Sequence, residues 1–158
     1  MFKIVCYSVL ILLAAIQCSP KHRDFETIKK SGTLRVLTIN SETTYYENRD
    51  GKGDGLEYVM VKDFAQHLNL KLDIIVKDSV AELFDSLKAG RGDLIAATIS
   101  MTEKRKDTWL FGPAYQTEQQ QLVCQKNISP KNLSELQNFE VVVGVKTSYH
   151  ERLIQLAK

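Results

Sequence analysis

The chain has 158 residues, 44% of them hydrophobic and 25% charged, which suits about one to one and a half ordinary domains and is too apolar for a disordered tail. A formal charge of +2 and a pI near 8.4, with Lys and Arg scattered along the sequence, give no footprint for DNA or RNA, so no nucleic-acid partner is expected.

Met1 to Ser19 reads as a targeting segment. Lys3 supplies a short positive start, and Ile4 to Ile16 is an apolar run shorter than the roughly 20 residues a spanning helix needs. Export to the periplasm is expected, with residues 1–18 as the signal peptide. Cys18 stands where a bacterial lipoprotein signal places its lipidated cysteine, and acyl chains there would anchor the protein to the outer membrane. Gln17 fills the position such signals usually give to Gly, Ala or Ser, which leaves lipidation, ordinary cleavage and a retained anchor all open. Cys6 lies in the apolar run, so the mature domain keeps only Cys124 besides Cys18 and no disulfide framework is expected.

Thr33 to Asn40, β-branched and apolar after Gly32, predicts a first strand. The polar loop Ser41 to Gly55 follows. Its Asp50-Gly51-Lys52-Gly53-Asp54-Gly55 starts like a calcium loop, but Lys52 stands at position three and Val61 at position twelve, where a bidentate Glu is required, so it reads as a glycine-rich turn and no metal is expected. From Leu56 to Leu70, Val59, Met60, Phe64 and Leu68 recur at helical spacing and predict an amphipathic helix; His67 reads as a solvated or capping residue. Leu72 to Val76 predicts a second strand. Val80 to Ala89 predicts a helix with Leu83, Phe84 and Leu87 on one stripe, stopped by Gly90-Arg91-Gly92. Asp93 to Ser100 predicts a third strand, apolar enough to be covered on both faces.

This βαβαβ order implies right-handed crossovers and a mostly parallel sheet, in an α/β fold. Gln119 to Lys126 predicts a further strand, in which Cys124 is a small hydrophobe. Asn127 to Asn132, with Pro130, marks a crossing into a second lobe. There a helical patch from Leu133 to Phe139, a strand from Val141 to Val145 and a helix from Ser148 to the last residue are expected. The domain expectation is a first lobe at 32–126, with the crossing strand, and the beginning of a second at 127–158, truncated because so few elements cannot bury their own faces.

The segment Ile99-Ser100-Met101-Thr102-Glu103-Lys104-Arg105 carries the chemistry. It delivers hydroxyls and one guanidinium just past a strand's carboxyl end, where open α/β sheets hold ligands, and this predicts a site for a small carboxylate. Thr98 and Ser100 alternate at the strand end and would face the same way. No cofactor is expected. His150, the one candidate base, has no nucleophile or metal partner at a matching spacing, so no catalytic residue is assigned.

These features resemble the bacterial extracellular solute-binding proteins of family 3, over about Leu34 to Leu156. The carriers are Gly32-Thr33-Leu34-Arg35-Val36, Tyr45-Tyr46, Gly55-Leu56-Glu57-Tyr58, Leu87 to Asp93 and Ser100 to Arg105. The stretches Thr38 to Gly51 and Ser148 to Leu153 are similar to the solute-binding module of the membrane-bound lytic murein transglycosylase F family, in which such a module precedes a catalytic domain. The resemblance implies a type II periplasmic-binding-protein-like lobe. It implies that Arg105 grips a ligand carboxylate, that Thr98 and Ser100 add donors, that Thr102 shapes the turn, and that Tyr45 or Tyr46 covers the ligand's apolar part. Family members usually carry Gly in the turn after the second-lobe strand, and Val145-Lys146-Thr147-Ser148 does not. Two functions follow as expectations: a sensor for an amino-acid-like carboxylate, as the regulatory module of a murein enzyme, or a non-catalytic remnant of such an enzyme that associates with peptidoglycan or the outer membrane.

Overall fold

A computed structural model of the chain describes residues 22–157; the expected signal peptide and Cys18 lie outside the described residues. The chain divides into two compact units between Thr98 and Ile99.

In the first unit Arg23 precedes helix α1, Phe25–Ser31. Sequence reasoning left this helix out, although its caps are legible. The Asp24 side chain accepts from the amide of Thr27, and Gly32 closes the helix in the left-handed conformation. Strand β1, Thr33–Ile39, follows directly. A small antiparallel pair, β2 (Tyr46–Glu47) and β3 (Gly53–Asp54), takes up the polar loop. Helix α2 spans Leu56–His67, β4 spans Lys71–Lys77, α3 spans Val80–Lys88, and β5 is Leu94–Ile95.

The sheet is parallel, in the order β4-β1-β5. β1 is its centre: Thr33 to Ile39 lie opposite Lys71 to Lys77 on one side, and Val36 and Leu37 lie opposite Leu94 and Ile95 on the other. The expected third strand at 93–100 pairs only at Leu94–Ile95, so the fully covered central strand is β1 and not the third. Strand alternation sends Leu34 and Val36 to one face, where they pack with Ile28, Ala65 and Leu70 under α1 and α2. Leu37 points to the other face, which α3 covers with the fully buried Leu83. Burial of such aliphatic side chains contributes about 1.5–3 kcal/mol each. Gly92 lies against this second core: a Cβ there would sit 2.4 Å from Leu37 Cγ.

α2 is amphipathic as expected but turned. Its buried face is Glu57 and Ala65, with Val61 and Leu68 half-buried, whereas Val59, Met60 and Phe64 are more than 40% exposed. Ala65, at 1% exposure, lets the helix approach the sheet closely, and Glu57 turns inward because its carboxylate has partners there.

At the amino end of β5, Asp93 gathers two guanidiniums. Its Oδ2 accepts the Arg35 amide at 2.8 Å and its Oδ1 accepts Arg35 NH2 at 2.8 Å and Arg23 Nε at 3.0 Å; Arg23 NH2 also donates to Oδ2. Burial alone would raise the Asp93 pKa, but the hydrogen bonds from Arg23 and Arg35 outweigh it and hold the carboxyl at about 2. The cluster ties the lead-in to α1, β1 and β5 together.

The second unit contains α4 (Glu103–Lys106), a 3₁₀ turn at Leu133–Asn138 and α5 (Ser148–Leu156). The strands expected at 119–126 and 141–145 form no ladder. Val123 and Val142 are almost fully exposed, and a segment without a neighbouring strand has nothing to pair with. Cys124 is accordingly a free, exposed thiol rather than a buried hydrophobe. Among the described residues no helix is long and apolar enough to cross a membrane.

Candidate functional site

Of the six residues singled out for ligand binding, Tyr45, Tyr46 and Thr98 belong to the first unit and Ser100, Thr102 and Arg105 to the second. Tyr45 packs its ring on Tyr58 of α2, centroids 5.4 Å apart and tilted by 59°. The pair closes over Gly53, where a Cβ would stand 2.8 Å from Tyr58 Cζ and 2.9 Å from Tyr45 Cε2, so the aromatic contact requires glycine there. Burial, then the Glu47 carboxylate, push the Tyr45 hydroxyl above its ordinary pKa, and a hydrogen bond to Asp54 does the same for Tyr46. Both phenols therefore stay protonated and able to donate.

Thr98 does not continue the strand. β5 ends at Ile95, and Thr98 has φ +49°, so the alternation that would align it with Ser100 is lost. A β-branched residue in the left-handed region costs on the order of 1–3 kcal/mol and persists only where its surroundings hold it. Glu57 does so. From the first turn of α2 its buried carboxylate accepts the Thr98 amide on both oxygens, at 2.9 and 2.8 Å, and lies 3.4 Å from the Thr98 hydroxyl. Sequence reasoning did not find Glu57; the signal was an acidic residue on what would otherwise be a core-facing position of an amphipathic helix.

In the second unit the centre is Arg105. Thr102 caps α4, its hydroxyl accepting from the Arg105 amide at 3.3 Å, and this short helix carries the guanidinium into a buried position at 6% exposure. Arg105 Nε donates to Glu151 Oε1 at 3.0 Å, NH1 to the carbonyl of Ser100 at 2.9 Å and NH2 to the carbonyl of Lys146 at 3.0 Å. The second oxygen of Glu151 accepts the Thr102 hydroxyl at 2.8 Å. Ser148, at the start of α5, donates its hydroxyl to that of Ser100 at 3.2 Å. Removing such an ion pair from water costs several kcal/mol per charge, and only hydrogen bonding this complete offsets it.

The turn that leads into α5 lacks the glycine that the family resemblance implies, and the backbone takes the left-handed conformation there regardless, at Lys146 with φ +60°. That twist presents the Lys146 carbonyl to Arg105. His150, the one candidate base, closes the same turn: its Nδ1 accepts the Lys146 amide at 3.3 Å. Glu151, like Glu57, escaped sequence reasoning, because nothing local marks which charged residue of a surface helix meets a distant guanidinium. Among the described residues no group of His, Cys, Asp and Glu is placed to hold a metal ion.

Comparison with known proteins joins these observations. Residues 25–147 match the bacterial extracellular solute-binding proteins, family 3. Curated relatives named membrane-bound lytic murein transglycosylase F include one from Maricaulis maris, 35% identical over 92% of this chain and 33% of its own length, and one from Vibrio campbellii, 38% identical over 84% and 25%. A third, membrane-bound lytic murein transglycosylase F 2 of Alkalilimnicola ehrlichii, is 33% identical over 98% and 36%. The chain thus spans about a quarter to a third of the length of the curated relatives it matches. Among solved structures, a mutant of the arginine-bound form of domain 1 of TmArgBP, from T. maritima, has a TM-score of 0.54 at 25% identity, over 58% of this chain and 71% of that one. An ancestral cyclohexadienyl dehydratase has a TM-score of 0.51 at 26% identity, over 56% of this chain and 37% of that one. The parallel sheet with helices on both faces is accordingly part of a type II periplasmic-binding-protein-like lobe. With most of its described length matched, the chain belongs to the bacterial extracellular solute-binding proteins of family 3.

Proposed function

We propose that the chain is a periplasmic module that binds a small amino-acid-like carboxylate and serves as the regulatory part of a murein lytic transglycosylase. The observation that carries this reading is the buried Arg105 guanidinium, which holds a carboxylate with help from the Thr102 hydroxyl. A planar fork in a desolvated site is the side chain best suited to a carboxylate, and it stays charged at every working pH. In this reading Ser100, in the same unit as Arg105, adds a further donor; Tyr45, Tyr46 and Thr98 are assigned to the ligand by the family resemblance alone. Family membership supports a solute as the ligand, and a structural relative described as arginine-bound supports an amino acid. The names of the curated relatives support the murein enzyme as the setting; export through residues 1–18 belongs to the same reading, with a lipid on Cys18, ordinary cleavage and a retained anchor as its three forms.

The test is calorimetry with L-arginine, L-glutamate and L-alanine against the 158-residue chain and its Arg105→Ala variant. Loss of two charge-assisted hydrogen bonds predicts at least about a 100-fold drop in affinity. Unchanged affinity in the variant would sink the reading.

A second reading rests on those same relatives, which are membrane-bound murein enzymes matched over 84–98% of this chain. It takes the chain as a non-catalytic part that associates with peptidoglycan or the outer membrane. Retention on purified sacculi with no calorimetric response to any of the three amino acids would favour it.

A further inference from the structure

The donors that the proposed function assigns to a ligand carboxylate are already filled by a carboxylate of the chain itself. Glu151 Oε1 lies 3.0 Å from Arg105 Nε and Oε2 lies 2.8 Å from the Thr102 hydroxyl, so both oxygens are held by a guanidinium and a neighbouring hydroxyl. An incoming carboxylate would seek the same pair of contacts. Glu151 sits in the first turn of α5, where Ser148 also meets Ser100, and Lys146, just before the helix cap, sets its carbonyl on Arg105 NH2.

We propose that Glu151 is a tethered competitor: it occupies Arg105 and Thr102 in the empty protein, and a ligand carboxylate binds by displacing it, releasing the start of α5. The inference rests on the carboxylate-binding reading and adds its regulation. A side chain attached to the same chain competes at a fixed effective concentration. The observed affinity is therefore the intrinsic affinity multiplied by the fraction of molecules in which Arg105 is free of Glu151. The filled state also has a consequence for signalling. Binding does not simply add a molecule to a vacant cleft; it exchanges one carboxylate for another and so frees a helix start that was pinned.

The deciding experiment compares the 158-residue chain with Glu151→Gln by calorimetry, using L-arginine, L-glutamate and L-alanine as probes. Gln keeps the shape and one acceptor but not the charge. The variant is expected to bind its best probe about 5-fold tighter or more, within the usual range of coupling between competing states. Glu151→Ala should shift affinity in the same direction, and circular dichroism of both variants should match that of the parent chain. Arg105→Ala combined with Glu151→Gln should bind none of the probes. If the parent chain binds and Glu151→Gln binds equally or more weakly, Glu151 orients the guanidinium instead, and the inference fails while the carboxylate-binding reading stands. If neither binds any probe while both are folded, the carboxylate-binding reading fails and takes the inference with it.

Discussion

Each unit holds one buried ion cluster, and the two are built in opposite senses. In residues 22–98 the hub is an acid: Asp93, its side chain 1% exposed, is served by two guanidiniums and a backbone amide. In residues 99–157 the hub is a base: Arg105 donates to the carbonyls of Ser100 and Lys146 and to the Glu151 carboxylate. An acid with redundant cations has no vacancy for a ligand and serves to fasten chain segments. A base that holds a carboxylate of its own chain can trade that carboxylate for another. In the sequence Asp93 immediately precedes β5 and Arg105 lies ten residues beyond its end.

The comparison breaks most visibly at Asp93. Asp93→Asn leaves Arg23 and Arg35 facing each other without a counter-charge, and a loss of about 3–5 kcal/mol in urea-induced unfolding is expected. A loss under about 1 kcal/mol would mean that the acid hub fastens nothing. A pH series sharpens the same point. The folded pKa of about 2 lies below the ordinary value of 3.8, so the stabilisation is fully present above pH 4 and is lost as the pH falls through 2. It amounts to about 2–3 kcal/mol, and the stability gap between the parent chain and Asp93→Asn should narrow by about 2 kcal/mol between pH 4 and 2, the remainder being lost below pH 2. A gap that stays constant over this window contradicts the assignment. The smallest effect belongs to the basic hub. Thr102→Val removes both the α4 cap and a partner of Glu151, with an expected cost of about 1 kcal/mol, read as faster hydrogen exchange at the Arg105 amide.

Much of the first unit was legible because its periods are clean. β1, β4, α2 and α3 fall within a few residues of where apolar spacing and glycine stops put them. What periodicity could not do was choose a face. Val59, Met60 and Phe64 form as good a stripe as Val61, Ala65 and Leu68, and the choice was made by a small residue and a satisfied carboxylate, neither of which scores as hydrophobic. In the second unit strand propensity over 119–126 and 141–145 was real but went unused, because a ladder depends on a partner and not on the segment itself. At the candidate site Arg105 and Thr102 could be marked from their place after a strand, and the structure brings them together. Glu57 and Glu151 could not, since each meets its partner across more than 40 residues of chain. Arg35 was a missed signal of the same kind: a charge inside an apolar strand asks for a buried counter-charge, and Asp93 answers it.

The close approach of Gly92 to Leu37 makes two distant positions into one unit of sequence variation. Any side chain at 92 would enter the volume of a leucine that has no exposed surface into which to retreat. A library randomised at both positions should return covarying pairs, with a larger residue at 92 accepted only alongside a smaller one at 37. Lineages that drift at either site alone are confined to glycine at the one and leucine-sized residues at the other.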